Sequence, residues 1–358
     1  MSLDRLIAAV ILACASVAGA LAMQPETPPA IAPAKAITVT TRSLSLNPDD
    51  PAQARVGALR FAGAVQLSSP DPGFGGISGL RAGAGNRLIG ITDTGNWLVL
   101  ATIERGGRLI GVSDVHLAPL PQPGGKSPAR KADVDAEAVE HDPATGITTV
   151  VYEQQHRLAH FTGIDAARPE TLAQPPVDTE YLTAMTGWPA NGGGEAMAVL
   201  PGGTRIILSE DARRLDGSIA ALLTRDGRTV EIGVIPVPDH SPTDAIALDD
   251  HRLLVLHRRF SGLGGWSAAL TLVDLAPVLA SDTAAPVPQT LLARLEAPLT
   301  FDNMEGLALR RQGRRTFVYL VSDDNLNRIQ RSLLMKFELL LPVTAAPATS
   351  TRTAARRP

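Results

Sequence analysis

Apolar residues along this chain come in short runs closed by polar, Gly or Pro positions, among them Arg205-Ile206-Ile207-Leu208, Leu253-Leu254-Val255-Leu256 and Thr316-Phe317-Val318-Tyr319-Leu320-Val321. Such runs, β-rich and bounded by turn-forming residues, predict buried strands. The i, i+3, i+4, i+7 recurrence that an α-solenoid would need is absent. A phrase repeats ahead of the runs: a short polar or acidic residue, a small residue, apolar positions, then a strand that closes on another polar residue. It reads Ser78-Gly79-Leu80 closing at Asp93, Glu137-Ala138-Val139 at Glu153, Glu195-Ala196-Met197 at Glu210, Asp244-Ala245-Ile246 at His257, and Glu305-Gly306-Leu307 at Asp323. The halves stand 13 to 18 residues apart and the copies 49 to 61 apart. Units of this size with several short strands each predict an all-β chain, a single β-propeller of five or six blades.

The ends of the chain differ from its middle. Arg5 precedes an apolar run from Leu6 to Ala22 that ends in Ala20-Leu21-Ala22, so residues 1–22 read as a signal peptide and the mature protein as periplasmic or secreted, with no stable membrane span after cleavage. The single cysteine, Cys14, lies inside that segment, which leaves disulfides, thiolate metal sites and Cys nucleophiles out of the mature chain. Residues 23–36 are a Pro-rich linker, 37–341 the propeller domain and 342–358 an Ala, Thr, Arg and Pro tail without apolar periodicity. Of the strands predicted before the first phrase, Thr38–Thr41 and Leu59–Leu67, one is expected to complete the last blade and close the ring. With 44% hydrophobic residues the chain can bury a large core, and a net charge of −3 argues against nucleic acid as a partner.

In a propeller the first strand of each blade lines the central channel, so the acids that open the phrase converge near the axis. Glu137, Glu195, Asp244 and Glu305 are the expected ligands of a hard divalent cation, Ca²⁺ suiting a ring of unequal oxygen-bearing arms better than Mg²⁺. The competing reading has each acid capping backbone N–H groups of the next blade. Beyond the closing residues lie Arg157, His257, Arg258 and Arg259, candidates for binding a small anionic ester, since guanidinium groups grip phosphate and carboxylate through paired hydrogen bonds. Asp133, Asp135 and Glu137 alternate and would share one face if extended, and His156 and His257 are candidate ligands or proton shuttles. Nucleophile-elbow, phosphate-loop and His-Glu-x-x-His signatures are missing.

Taken together, Gly75-Gly76-Ile77-Ser78-Gly79-Leu80, Asp135-Ala136-Glu137-Ala138-Val139-Glu140, Val151-Tyr152-Glu153, Ser209-Glu210-Asp211 and Asp302-Asn303-Met304-Glu305-Gly306-Leu307-Ala308 with Val321-Ser322-Asp323-Asp324-Asn325 resemble the bacterial phytase-like family described as having esterase-like activity. The resemblance runs from about Phe61 to Glu338. It implies an exported β-propeller acting on phosphate or carboxylic esters. Propeller phytases carry an Asp-Asp-Pro-Ala-Ile-Trp phrase, of which this chain has Asp49-Asp50-Pro51-Ala52 followed by Gln53-Ala54-Arg55, and the match reads as a turn. On the hydrolase reading the metal polarises the ester and Glu153 or Asp323 is the catalytic base. A propeller lactonase and a non-catalytic periplasmic binding or interaction propeller are the alternatives, and fold does not choose among them.

Overall fold

The computed structural model describes residues 31–125, 130–261, 265–281 and 285–341; the segment read as a signal peptide and the C-terminal tail lie outside them. Five antiparallel sheets follow one another along the chain. Ahead of them run β1 (Lys35–Ile37), β2 (Thr40–Leu44), β3 (Arg55–Val56) and β4 (Leu59–Ser68). Blade one is β5 (Ile77–Ala82), β6 (Arg87–Thr92), β7 (Asn96–Arg105) and β8 (Arg108–Pro119). Blade two is β9 (Ala136–Asp142), β10 (Ile147–Tyr152), β11 (Arg157–Phe161) and β12 (Asp178–Tyr181). Blade three is β13 (Gly194–Val199), β14 (Arg205–Arg213), β15 (Ile219–Arg225) and β16 (Arg228–Val234). Blade four is β17 (Ser241–Ala247), β18 (Arg252–Ser261), β19 (Gly265–Asp274) and β20 (Gln289–Leu295). Blade five takes β21 (Asn303–Gln312), β22 (Arg315–Asp323) and β23 (Leu333–Leu339) from the end of the chain, and its fourth strand is β4 from the beginning.

That exchange closes the ring, with β2 added outside β4. On the neighbouring blade β1 pairs with β8 through Lys35↔Leu117 and Ile37↔Val115, so the last residues of the expected linker are strand. Each edge gained is an edge removed from solvent, the usual answer of a propeller to its open ends. Blades five and one are also tied by a buried Lys336, whose Nζ donates to Glu104 Oε2 at 2.6 Å and Gly107 O at 3.0 Å, while the Tyr319 hydroxyl donates to Glu104 Oε1 at 2.7 Å.

The core is five separate apolar clusters, one at each junction between neighbouring blades. Strand alternation produces this division. Val150 of β10 packs toward blade one and Val151 toward blade three; Ile206 and Leu208 of β14 pack toward blade four and Ile207 toward blade two. Every middle strand is therefore apolar on both faces, which explains the unbroken apolar runs in the sequence.

Candidate active site at the channel mouth

The five inner strands each carry a β-bulge near their start, at Ser78, Glu137, Glu195, Thr243 and Glu305. A bulge leaves one residue outside the ladder and re-aims its side chain. In blade four the residue so placed is Thr243, not Asp244. Its hydroxyl donates to Met304 O at 3.0 Å just as Ser78 Oγ donates to Ala136 O at 2.6 Å, each reaching the residue before the next blade's acid. The second strands supply a further ring: Asp93, Glu153 and Glu210 donate their backbone N–H to Gly76, Asp135 and Gly193, and Arg258 and Asp323 pair with Ser241 and Asn303. At these two positions blade four carries Thr243 and Arg258, where the phrase reads Asp244 and His257, and Arg258 lines the mouth.

Around a cavity of about 190 Å³ stand Asp93, Asp135, Glu137, Glu153, Glu195, Glu210, Glu305 and Asp323, eight carboxyl groups against the two cations Lys131 and Arg258. Arg258 bridges blades three and five, its Nη2 2.7 Å from Glu210 Oε1 and its Nη1 3.1 Å from Glu305 Oε1. Glu305 beside it keeps the guanidinium protonated. Lys131 Nζ lies 3.4 Å from Asp135 Oδ1 and 3.9 Å from Asp93 Oδ2. Burial, followed by the neighbouring acids, drives Glu137 and Glu195 well above the ordinary carboxylate range, and for Glu137 those neighbours begin with Glu153 and Asp135. Burial also lifts Glu305 to about 8, with Arg258 pulling against it, and Asp323 to about 7, held back by the Asn325 N–H.

Glu153 is fixed by the backbone of the next blade: its Oε1 accepts the N–H of Gly192 and, at 3.0 Å, that of Gly193. Gly192 has φ +82°, and a Cβ there would meet Asp211, so the loop can wrap the carboxylate only with glycine at this position. Asp135, Glu137 and Glu153 each offer an oxygen within 4.8 Å of the others. Oxygens bound to one Ca²⁺ at roughly 2.3–2.6 Å fall within about 5 Å of one another, so the trio fits a hard cation. The buried oxygens Asp135 Oδ1 and Asp93 Oδ1 accept no hydrogen bond, and the donor set is all oxygen, as such an ion requires.

Of the residues singled out in the sequence, Glu137, Glu195, Glu305, Glu153, Asp323 and Arg258 meet in this mouth. Asp244 does not. It lies fully buried along the channel in a two-pronged pair with Arg81, Oδ2 to Nη1 at 2.8 Å and Oδ1 to Nη2 at 3.0 Å, and accepts the Leu307 N–H at 2.7 Å. Arg81 donates besides to the carbonyls of Leu80, Met197, Ala245 and Leu307 and to Glu140 Oε2, so one guanidinium gathers groups from all five blades and plugs the channel. His257 is buried, its Nε2 2.9 Å from both Thr271 Oγ1 and Gln289 Oε1, and burial holds it down at about 3; it belongs to the interior of blade four. Arg157 is buried over the Tyr152 ring at 3.6 Å and bonded to Gln155, Gln122 and Asp133 O, and Arg259 lines a neighbouring groove. Asp133 turns away in a short 3₁₀ turn (Lys131–Asp133) to meet Arg130 and Gln155, leaving Asp135 and Glu137 together.

The sequence reading missed Arg81, Lys131 and the site role of Asp93, Asp135 and Glu210. A signal was present for the register of blade four. The halves of the phrase stand 15, 16, 15 and 18 residues apart in blades one, two, three and five, but 13 apart from Asp244 to His257; Thr243 to Arg258 restores 15. Arg81 and Glu140 share the third position after the phrase opens, where blades three, four and five at the bulge register carry Ala198, Ile246 and Ala308.

A family model named phytase-like, described by the esterase-like activity of phytase, matches residues 72–326. Among solved structures the chain is similar in shape to the major allergen Mala s 1 of Malassezia sympodialis (11% identity, 86% of this chain and 96% of that one, TM-score 0.39). It is also similar to a Trichoderma reesei carbohydrate-active enzyme of family AA12 (10%, 87% and 99%, 0.39) and to the WD40 propeller domain of Doa1 (10%, 78% and 97%, 0.37). No curated protein sequence matches the chain.

Proposed function

Because the chain belongs to the phytase-like family, and is by family and fold a hydrolase-like propeller, we propose that it hydrolyses a carboxylic or phosphate ester at the acid-lined channel mouth with the help of a divalent cation. The observation that carries this reading is the trio Asp135, Glu137 and Glu153, whose oxygens lie within 4.8 Å of one another, with Lys131 Nζ, 3.4 Å from Asp135 Oδ1, the one cation beside them among the described residues. Those three residues would hold the ion. When bound, a Ca²⁺-type cation supplies Lewis acidity toward an ester oxygen and offsets the crowding of carboxylates.

The chain's own groups divide the remaining work. Asp323, poised at about 7, exchanges a proton with water near neutral pH and is the general base of the proposal. Burial and the neighbouring acids favour the neutral form of Glu195 beside Glu153, which the Gly192–Gly193 backbone holds in place. Arg258 is committed to Glu210 and Glu305, so the mouth retains an excess of negative charge and favours a neutral or singly charged ester over a polyanion. The apolar run at residues 6–22 supports export, and among the described residues no helix is long and apolar enough to cross a membrane.

The test is a panel of carboxylic esters, phosphate esters and lactones assayed on metal-analysed protein before and after chelation. Turnover that is lost on chelation, restored by Ca²⁺ and lost in Glu137→Gln supports the proposal. Turnover indifferent to both treatments, or a protein that takes up no cation and turns over nothing, overturns it.

A further inference from the structure

The mouth, at about 190 Å³, is too small for a whole drug-sized ligand, for which pockets of roughly 300–1,000 Å³ are usual. Beside it lies a groove of about 570 Å³ between blades four and five. The two share no lining residue but adjoin along the chain. Arg258 of the mouth and Arg259 of the groove are successive residues of β18; Asp302 of the groove precedes Asn303, whose Oδ1 accepts from Arg258 at 3.3 Å. The end of β18, the start of β19 and the turns joining β20 to β21 and β22 to β23 all lie at the mouth end of the ring.

Trp266, Leu299, Phe301 and Ile329 give the groove an apolar wall. Its charges are already satisfied in part: Arg331 pairs with Asp302 at 3.1 Å and donates to Phe301 O at 2.8 Å. Ile329 is 87% exposed, and Phe260, 67% exposed, is the cross-strand partner of Trp266, the two rings edge-on at 4.7 Å. Large apolar side chains left in water around a concave site mark the place where an apolar ligand is received, and a tilted aromatic pair offers a ring both face and edge contacts.

We propose that this groove binds the aryl or branched-alkyl leaving group of an ester whose reacting carbonyl or phosphoryl sits in the acid mouth. Its catalytic meaning rests on the hydrolase reading above; its ability to bind an aromatic ring does not. For 2-naphthyl acetate, water would supply hydroxide to the acyl carbon and its other proton to the base, the acyl C–O bond would break, the naphtholate oxygen would take that proton, and acetic acid would leave and ionise to acetate, releasing one proton to solvent.

Two measurements on the full chain test the proposal. Calorimetric titration with 2-naphthol, neutral at pH 7, should show one saturable site that Trp266→Ala and the surface change Ile329→Ser each weaken at least fivefold and Glu137→Gln leaves within twofold. The kcat/KM for 2-naphthyl acetate should exceed that for methyl acetate at least tenfold, and both groove variants should erode the preference. Absence of saturable 2-naphthol binding, binding that neither groove variant alters, or turnover of the two esters with the same preference in wild type and variants overturns the groove assignment. Intact 2-naphthol binding without turnover of either ester supports the groove and removes the hydrolase reading instead.

Discussion

Arg81→Met tests the central structural claim, that one guanidinium holds the five blades at the axis. Arg81 is 1% exposed and each of its N–H groups has an acceptor: Glu140 on Nε, Leu80, Leu307 and Asp244 on Nη1, Met197, Ala245 and Asp244 on Nη2. Methionine keeps much of the length but leaves Asp244 and Glu140 without their cation and four carbonyls without its N–H donors. Breaking a buried pair by removing one partner costs about 3–5 kcal/mol. At about 2.1 cal/mol/K per residue over about 300 residues the unfolding entropy is about 0.63 kcal/mol/K, so the melting temperature should drop by about 5–8 °C. The loss should depend on pH. Asp244 lies at about 6 in the intact protein, where burial raises it and Arg81 restrains it. Without Arg81 its pKa climbs further, so the variant takes up a proton that the wild type releases, and the gap between them widens as pH rises from 5.5 to 8.5. Adding Asp244→Leu should recover part of the loss, since an apolar pair leaves no uncompensated charge. Thermal unfolding followed by circular dichroism at both pH values is the assay. A variant melting within 2 °C of wild type at pH 8.5, or a gap that stays constant with pH, would refute the plug.

Three further outcomes follow from the mouth and its surroundings. Ca²⁺ at about 100 times its Kd should stabilise the protein by about 2.7 kcal/mol, or about 4 °C in scanning calorimetry; in Glu137→Gln that rise should shrink, while the cation-free variant melts no lower than wild type because a carboxyl group whose ionised form burial disfavours is gone. In cation-free protein Glu305 at about 8 and Asp323 at about 7 hold protons that the unfolded chain has already released, so stability should fall as pH rises from about 5 to about 8 and then level off; a melting temperature that climbs over that window contradicts the reading. His257→Gln should lower the melting temperature by a few degrees through its buried bonds to Thr271 and Gln289 yet change kcat/KM less than twofold, and a tenfold loss of activity in folded variant would return His257 to the site.

Much of this molecule was legible in its primary sequence. The period of the phrase and the unbroken apolar runs specify blades that bury both faces of their middle strands, and the acids that open the phrase specify a polar channel mouth. Glu137, Glu195 and Glu305 are found there because inner strands of successive blades are related by rotation about one axis, so equivalent sequence positions meet. What only the tertiary structure decided is finer and depends on geometry between blades. A one-residue bulge decides which of Thr243 and Asp244 takes the position of the other blades' acids, and a shift of one residue in a strand exchanges its faces; the same shift replaced His257 by Arg258. The Arg81–Asp244 pair joins residues 163 positions apart, and its strength comes from burial and from five donors meeting fixed acceptors, which no local pattern encodes. The sequence determined which side chains could gather at the axis, because periodicity is a local property; the closed ring decided which carboxylate would find a cation and which would be left with its neighbours' charge, because distance and desolvation are not.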